Sequence, residues 1–263
     1  MDLIKVTKKR RNLGLEILHV IFNIALVVVI FASIWLFDDN FPSVALVLVL
    51  LSKWRMLAVR PRYWWANFLS SLPDLLLGVS VVILMWRAPI IASLDGSYAL
   101  ATQIALSVFY GVWLILLKPQ HKKHYVLIQA GLSQFISICA LFSVGYLLPV
   151  WLVIFITFIV GFAAARQALG LFEEHHKAFL SSIWGVVLAE IAFIAWHWTI
   201  AYRIMDGLHV PAFAIISALL GFAVTAAYES YQKHDRLLWK DIKLPSIFSS
   251  LAIMIIVILF NNL

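Results

Sequence analysis

The chain has 263 residues, 63% of them hydrophobic and only 13% charged, with a mean hydropathy of +0.97. A soluble domain carries about twice that share of charge, which excludes an ordinary water-soluble enzyme or binding module. The net charge of +7 is not a nucleic-acid signature here, because membrane proteins gather Lys and Arg in short loops to set their orientation.

Apolar runs of bilayer length recur from end to end, and only helices satisfy their own backbone in lipid. The sequence therefore predicts an all-α, polytopic membrane bundle forming one domain over 1–263. Nine spans are expected, at about 13–36, 42–59, 64–86, 98–117, 125–143, 146–165, 178–200, 211–229 and 245–261. The first follows the basic tail "MDLIKVTKKRR". It is too long for a secretory signal and lacks a good cleavage site, so it reads as retained. Within it Glu16, His19 and Asn23 fall at i, i+3 and i+7, on one helical stripe.

Span two is the weakest, because "VALVLVLL" is short and Lys53 and Arg55 precede its end. A re-entrant hairpin is the alternative. It would place four basic residues on the outer face, whereas a crossing helix lets Lys53 and Arg55 snorkel inward. Span three carries Asp74 about 15 Å deep. Pro73 beside it predicts a kink and a freed carbonyl at the acid. Gln103 and Gln134 lie in spans four and five, with "HKKH" (His121 to His124) between them. Span six runs into "EEHH", Glu173 to His176. Span seven carries Glu190 about 18 Å deep and His197 seven residues on. Ser181, Gly185 and Ala189 in span seven, and Ser217, Gly221 and Thr225 in span eight, repeat at steps of four. Small residues at that spacing predict close packing of those two helices, with Glu190 about 100° round from the ladder.

Charge supports the layout. With the N-terminus inside, every one of the 20 Lys and Arg except Arg87 and Arg203 falls on the inner side or in the inner ends of spans. The C-terminus then lies outside. Trp35, Trp86, Trp151, Trp196 and Trp198 map near the outer boundary and Trp54, Trp64, Trp65, Trp184 and Trp239 near the inner one, where indole rings settle. The lone Cys139 forms no intrachain disulfide. Cytoplasmic-membrane, multi-pass localisation follows, with the lipid bilayer as the certain partner, no nucleic acid and no predicted cofactor.

At "SKWRMLAVRPRYWWAN" and "ARQALGLFEEHHKAFLSSIWGVVLAEIAFIAWHW" the chain resembles uncharacterised multipass membrane proteins of reduced-genome candidate-phylum, Saccharibacteria-like bacteria. The resemblance implies a bacterial membrane setting and no residue roles.

The sequence is read first as a coupled carrier, with a scaffold as the alternative and a metalloenzyme third. Asp74 and Glu190 are the only acids near mid-depth, where a charge costs at least about 2.5–3.5 kcal/mol. Converging with Glu16, His19, Gln134 and His197, they would make a proton- or cation-coupled carrier for a small solute. Alternatively, such polar groups only bind helices together, Asp74 meeting Lys53 or Arg55, in a non-catalytic scaffold or assembly partner. Glu173, His176, His121 and His124 offer a thinner metalloenzyme reading, against a solvated helix start whose acids favour the dipole. "EEHHK" and "FIAWH" also look like pieces of CAAX-type intramembrane protease motifs, but Glu174 and His197 would stand about 35 Å apart on one helix.

Overall fold

The computed structural model describes residues 13–37, 41–54, 58, 60–91, 96–120, 122–172, 174–198, 201–205 and 208–259. Nine α-helices are present among them: α1 Leu13–Leu36, α2 Ser43–Ser52, α3 Trp64–Ile91, α4 Gly96–Val112, α5 Lys123–Val144, α6 Val150–Leu169, α7 Lys177–Trp198, α8 Ala212–His234 and α9 Trp239–Leu259. Eight are long and apolar enough to cross a membrane. This is a multi-pass membrane protein.

The exception is α2. At 10 residues it covers about 15 Å, half a hydrocarbon core. It runs antiparallel to α3: Phe41 stacks edge-on against Trp86, Val49 lies against Gly78, and Lys53 meets Asp74. The helix closes at Lys53, whose N–H caps the Leu50 carbonyl. The chain re-enters helical structure at the short 3-10 turn Pro61–Tyr63, where Pro occupies a position needing no donor. Of the helix expected over 42–59, α2 covers Ser43–Ser52 and is capped at Lys53, while residues 55–57 and 59 lie outside the described residues. Helix α3 runs through Pro73 and Pro89, and the Ser133 hydroxyl donates to the Pro73 carbonyl at 2.6 Å.

The centre of the bundle is α3 against α5, joined by Ser80 to Ser137 at 3.1 Å as well as by Ser133. Helix α4 closes one side, with the Gln103 amide donating to the Met85 carbonyl at 3.0 Å. Leu77 and Val81 of α3 and Ile138 of α5 form the core together with Leu188 of α7 and Phe213 of α8. Two features were not expected. Residues Trp113–Leu117 at the end of α4 form a π-turn. Strands β1 (Ala201–Met205) and β2 (Leu208–Pro211) form an antiparallel hairpin between α7 and α8, pairing Tyr202 with Val210.

The small-residue ladder of α7 faces a different neighbour from the one predicted. A Cβ on Gly185 would fall 2.8 Å from the Phe158 carbonyl oxygen of α6, and one on Gly161 of α6 would fall 3.2 Å from the Gly185 Cα. Ser181, Gly185 and Ala189 are buried in this α6–α7 seam. Ser217 of α8 instead meets α5, its carbonyl accepting from the Gln134 amide at 3.2 Å. A Cβ on Gly221 would fall 3.8 Å from the Trp184 ring, and α9 is tied to α8 by Ser249 donating to the Leu219 carbonyl at 3.0 Å. Thr225 is half-buried further along α8.

Candidate functional site

Asp74 projects from α3 about 15 Å along the helix from Trp64, into the gap below the end of α2. Its Oδ2 accepts from the Lys53 ammonium, a short charge-assisted contact, and from Lys118 at 2.8 Å. Its Oδ1 accepts from the Trp113 indole N–H at 3.0 Å. Lys53 is 5% exposed, so its charge is sheltered almost wholly by this carboxylate. Lys118 is 42% exposed at its side chain and opens the cluster to the bundle's end.

The π-turn explains how α4 delivers two groups to one acid. In an α-helix, residues five apart point about 140° away from each other. Here the Lys118 N–H bonds the Trp113 carbonyl at 2.8 Å, an i→i+5 closure that brings positions 113 and 118 over one another. Beside them the Tyr110 hydroxyl is buried and has no hydrogen-bond partner among the described residues. Gly78 makes this closeness possible, since a Cβ there would fall 2.9 Å from both the Tyr110 oxygen and Val49. Two ammonium groups and an indole already engage the Asp74 carboxylate, with one cation in excess of the single acid, which leaves it poorly placed to hold a further cation. Sequence reasoning anticipated the Lys53 pairing but missed Lys118, Trp113 and Tyr110.

Glu190 does not join this cluster. The buried stripe of α7 is Ser181, Gly185, Leu188, Ala189 and Ala192. At 100° per residue its centre lies roughly 150° from Glu190. Glu190 is exposed, in the middle of an outward stripe with Ile183, Val186, Phe193 and Ile194. It makes no hydrogen bond or ion pair with a described residue. Its predicted neighbour His197 is also exposed, its ring bonded to the Phe193 carbonyl at 2.9 Å. Gln134 is buried but serves a junction of three helices, accepting from the Trp184 indole at 3.0 Å and donating to Ser217. His19 stays on the exposed flank of α1, bonded to Asn23 at 3.1 Å. The side chain of Glu16 lies outside the described residues.

The loop between α6 and α7 is a second polar cluster. Glu174 accepts from the Tyr228 hydroxyl of α8, from the His176 backbone N–H at 3.1 Å and from the Gln232 amide at 3.4 Å. The Tyr228 hydroxyl, and after it the His176 N–H, hold the Glu174 carboxyl below the usual carboxylate range. Lys123 pairs with Glu229 at 3.1 Å and covers the Phe172 ring. Both the His176 and His124 rings are exposed, while His121 and Glu173 lie outside the described residues. Among the described residues no three His, Cys, Asp or Glu side chains gather as a metal site.

Compared with family models, with curated proteins and with solved structures, the chain finds no match.

Proposed function

We propose that the protein is a non-catalytic assembly or scaffold subunit of the bacterial cytoplasmic membrane, docking through the outward face of α7. The observation that carries this reading is Glu190. It stands about 20 Å from the start of α7 and about 12 Å from its end, and on the outside of the bundle. Lipid penalises a carboxylate at that depth by at least about 2.5–3.5 kcal/mol. A partner helix presenting a hydrogen-bond donor at mid-depth would remove that penalty. Ile183, Val186, Phe193 and Ile194 around it supply a ready apolar contact face.

Two observations weigh against the coupled carrier. The Asp74 oxygens are already occupied by Lys53, Lys118 and Trp113, and Glu190 points away from the packed side of α7. Our reading keeps nine crossings with the N-terminus inside and the C-terminus outside, the second crossing including α2.

The test is assembled mass after mild detergent extraction. The wild type runs above its 29.8 kDa monomer, Glu190→Gln stays assembled because an amide still hydrogen-bonds, and Glu190→Leu falls to the monomer. Equal masses for wild type and Glu190→Leu would overturn the reading. So would an ion-dependent flux in proteoliposomes that Glu190→Gln abolishes.

A further inference from the structure

At the end of the bundle remote from Asp74, the chain builds a cavity of about 410 Å3. Its walls come from the ends of α3, α5 and α7, with Ala201, His209 and Pro211 of the β1–β2 hairpin on one side, and it is open to the surface. Arg87, 7% exposed, is its one Lys, Arg, Asp or Glu wall residue among those described, and the titratable ring of His209 also lines it. The Arg87 Nε donates to the Ser143 carbonyl at 3.2 Å. The guanidinium lies 5.0 Å from the Tyr146 ring centre and 5.8 Å from that of Trp86. Among the described residues no carboxylate pairs with it, and its two amino groups have no acceptor.

A buried guanidinium without a counter-ion is costly. Its two free amino groups form a planar fork matched to the two oxygens of a carboxylate or phosphate. The rest of the wall is built to hold a flat apolar body. Phe142, Tyr146 and Trp196 line it. Trp196 lies directly on the backbone of Gly145, where a Cβ would fall 2.7 Å from the indole Cζ3. That glycine lets the indole close in as a wall. The volume falls in the range of small-molecule sites. Charge placement agrees, because Arg87 is one of only two basic residues away from the inner side in the proposed orientation.

We propose that this cavity is a binding site for an oxyanion carried on a flat apolar body, the carboxylate of a small aromatic acid, with Arg87 as the anchor and Tyr146 and Trp196 as the flanking walls. A phospholipid phosphate offers Arg87 the same oxyanion chemistry, and the experiment separates the two sources. The full chain is placed in phosphatidylcholine nanodiscs and its thermal unfolding is followed while benzoate is titrated. Benzoate raises the midpoint saturably in the wild type. Arg87→Gln abolishes the rise, Arg87→Lys weakens the apparent affinity at least tenfold by losing the fork, and benzamide, which lacks the charge, has no effect. In a second arm phosphatidylglycerol replaces a tenth of the lipid. Stabilisation by phosphatidylglycerol alone, lost in Arg87→Gln, keeps the oxyanion site but overturns the aromatic-acid assignment.

Should Arg87→Gln fail to fold, Tyr146→Ala and Gly145→Ala carry the test. Tyr146 is 64% exposed, so its loss leaves the core intact while removing one wall, and Gly145→Ala displaces the other. Each lowers benzoate affinity several-fold. The proposal is overturned if neither anion stabilises the wild type, or if benzoate stabilises all the variants equally.

Discussion

Trp113 and Lys118 are five residues apart on α4 and still reach the same carboxylate, Asp74. The π-turn at 113–117 makes this possible, and it gives the half-helix α2 a firm end inside the bundle. Lys53 closes α2, and Asp74 holds Lys53, so a chain that abandons helical structure part-way through the apolar layer is tied to α3 and α4 at the point where it does so. Removing one partner of a buried pair leaves the other charge uncompensated, which typically costs about 3–5 kcal/mol. Asp74→Asn strands Lys53 and should lower stability by about that amount. Lys118→Met removes a pair whose cation is 42% exposed and should cost no more than about 1 kcal/mol. Unfolding titrations in detergent check the order. Equal losses would show that Asp74 does not bear mainly on Lys53.

The π-turn itself can be tested. In the parent chain, a double-mutant cycle between Lys118→Met and Asp74→Asn should give a measurable coupling energy. Deleting Ile115 removes the extra residue of the π-turn and leaves Trp113 and Lys118 four apart, about 40° from each other on one α-helical face, so the coupling should be retained. Inserting an alanine after Ile115 instead puts them six apart, about 120° from each other in an α-helix, and the coupling should vanish. A coupling that survives the insertion would mean that the alignment of 113 with 118 is not what positions Lys118.

Hydropathy located the eight full-length helices because lipid imposes length and apolarity directly on sequence. The same rule made the second span doubtful, and α2 is where the chain stops short. Asp74 with Lys53 was legible as a possible pair, since a mid-depth acid beside a helix ending in Lys has few other partners. Trp113 and Lys118 were hidden by α-helical arithmetic, which sends them to different faces. The ladder Ser181–Gly185–Ala189 marked a face permitting close approach, but spacing on one helix does not name the neighbour, and Gly161 on α6 proved to be the complement. The β1–β2 hairpin carries a signal that was passed over: Asp206–Gly207 between short β-prone runs is a strong two-residue turn sequence. Arg87 showed only as an exception to the charge asymmetry, because its burial, and the lack of a carboxylate partner among the described residues, are properties of packing.

The α6–α7 seam separates glycines that serve packing from those that do not. A Cβ at Gly185 would meet the Phe158 carbonyl oxygen at 2.8 Å, backbone that cannot rotate aside, whereas at Gly131 it would meet nothing within 4 Å. Gly185→Ala should destabilise by about 1–3 kcal/mol through overpacking. Gly131→Ala should be neutral or stabilising by up to about 1 kcal/mol, because alanine favours helix. Thermal unfolding of the two variants side by side decides this. A neutral Gly185→Ala would mean that the two helices separate freely.

The loop cluster gives stability a defined pH dependence. Tyr228 donates to Glu174 and lowers its carboxyl pKa in the folded chain. A depressed folded pKa contributes stability above the unfolded carboxyl value of about 4.3, and that contribution is lost as pH falls through the folded value. Tyr228→Phe removes the leading cause of the shift. The mutant should therefore lose stability relative to wild type at pH 6 to 7, and the difference should shrink toward pH 3. Parallel unfolding curves with a constant gap across that range would show that Tyr228 acts through packing against Phe172 alone.

Glu190 gives a prediction in which two readouts move in opposite directions. If the outward carboxyl serves only association, it burdens the isolated subunit. Glu190→Leu should then raise the thermal stability of detergent-solubilised monomer, by up to about 2.5–3.5 kcal/mol. The same change should remove the higher-mass assembly. A purely structural acid would give the reverse pattern, with a less stable monomer and unchanged assembly. Val186→Cys, one turn away on the same outward stripe and exposed at 47%, reports the contact directly. In membranes it should form a disulfide-linked or bifunctionally crosslinked species with Glu190 present and lose it with Glu190→Leu. Buried Cys139 supplies no competing thiol. If the crosslink survives Glu190→Leu while the monomer is no more stable, the acid does not direct association and the α7 face is simply lipid-facing.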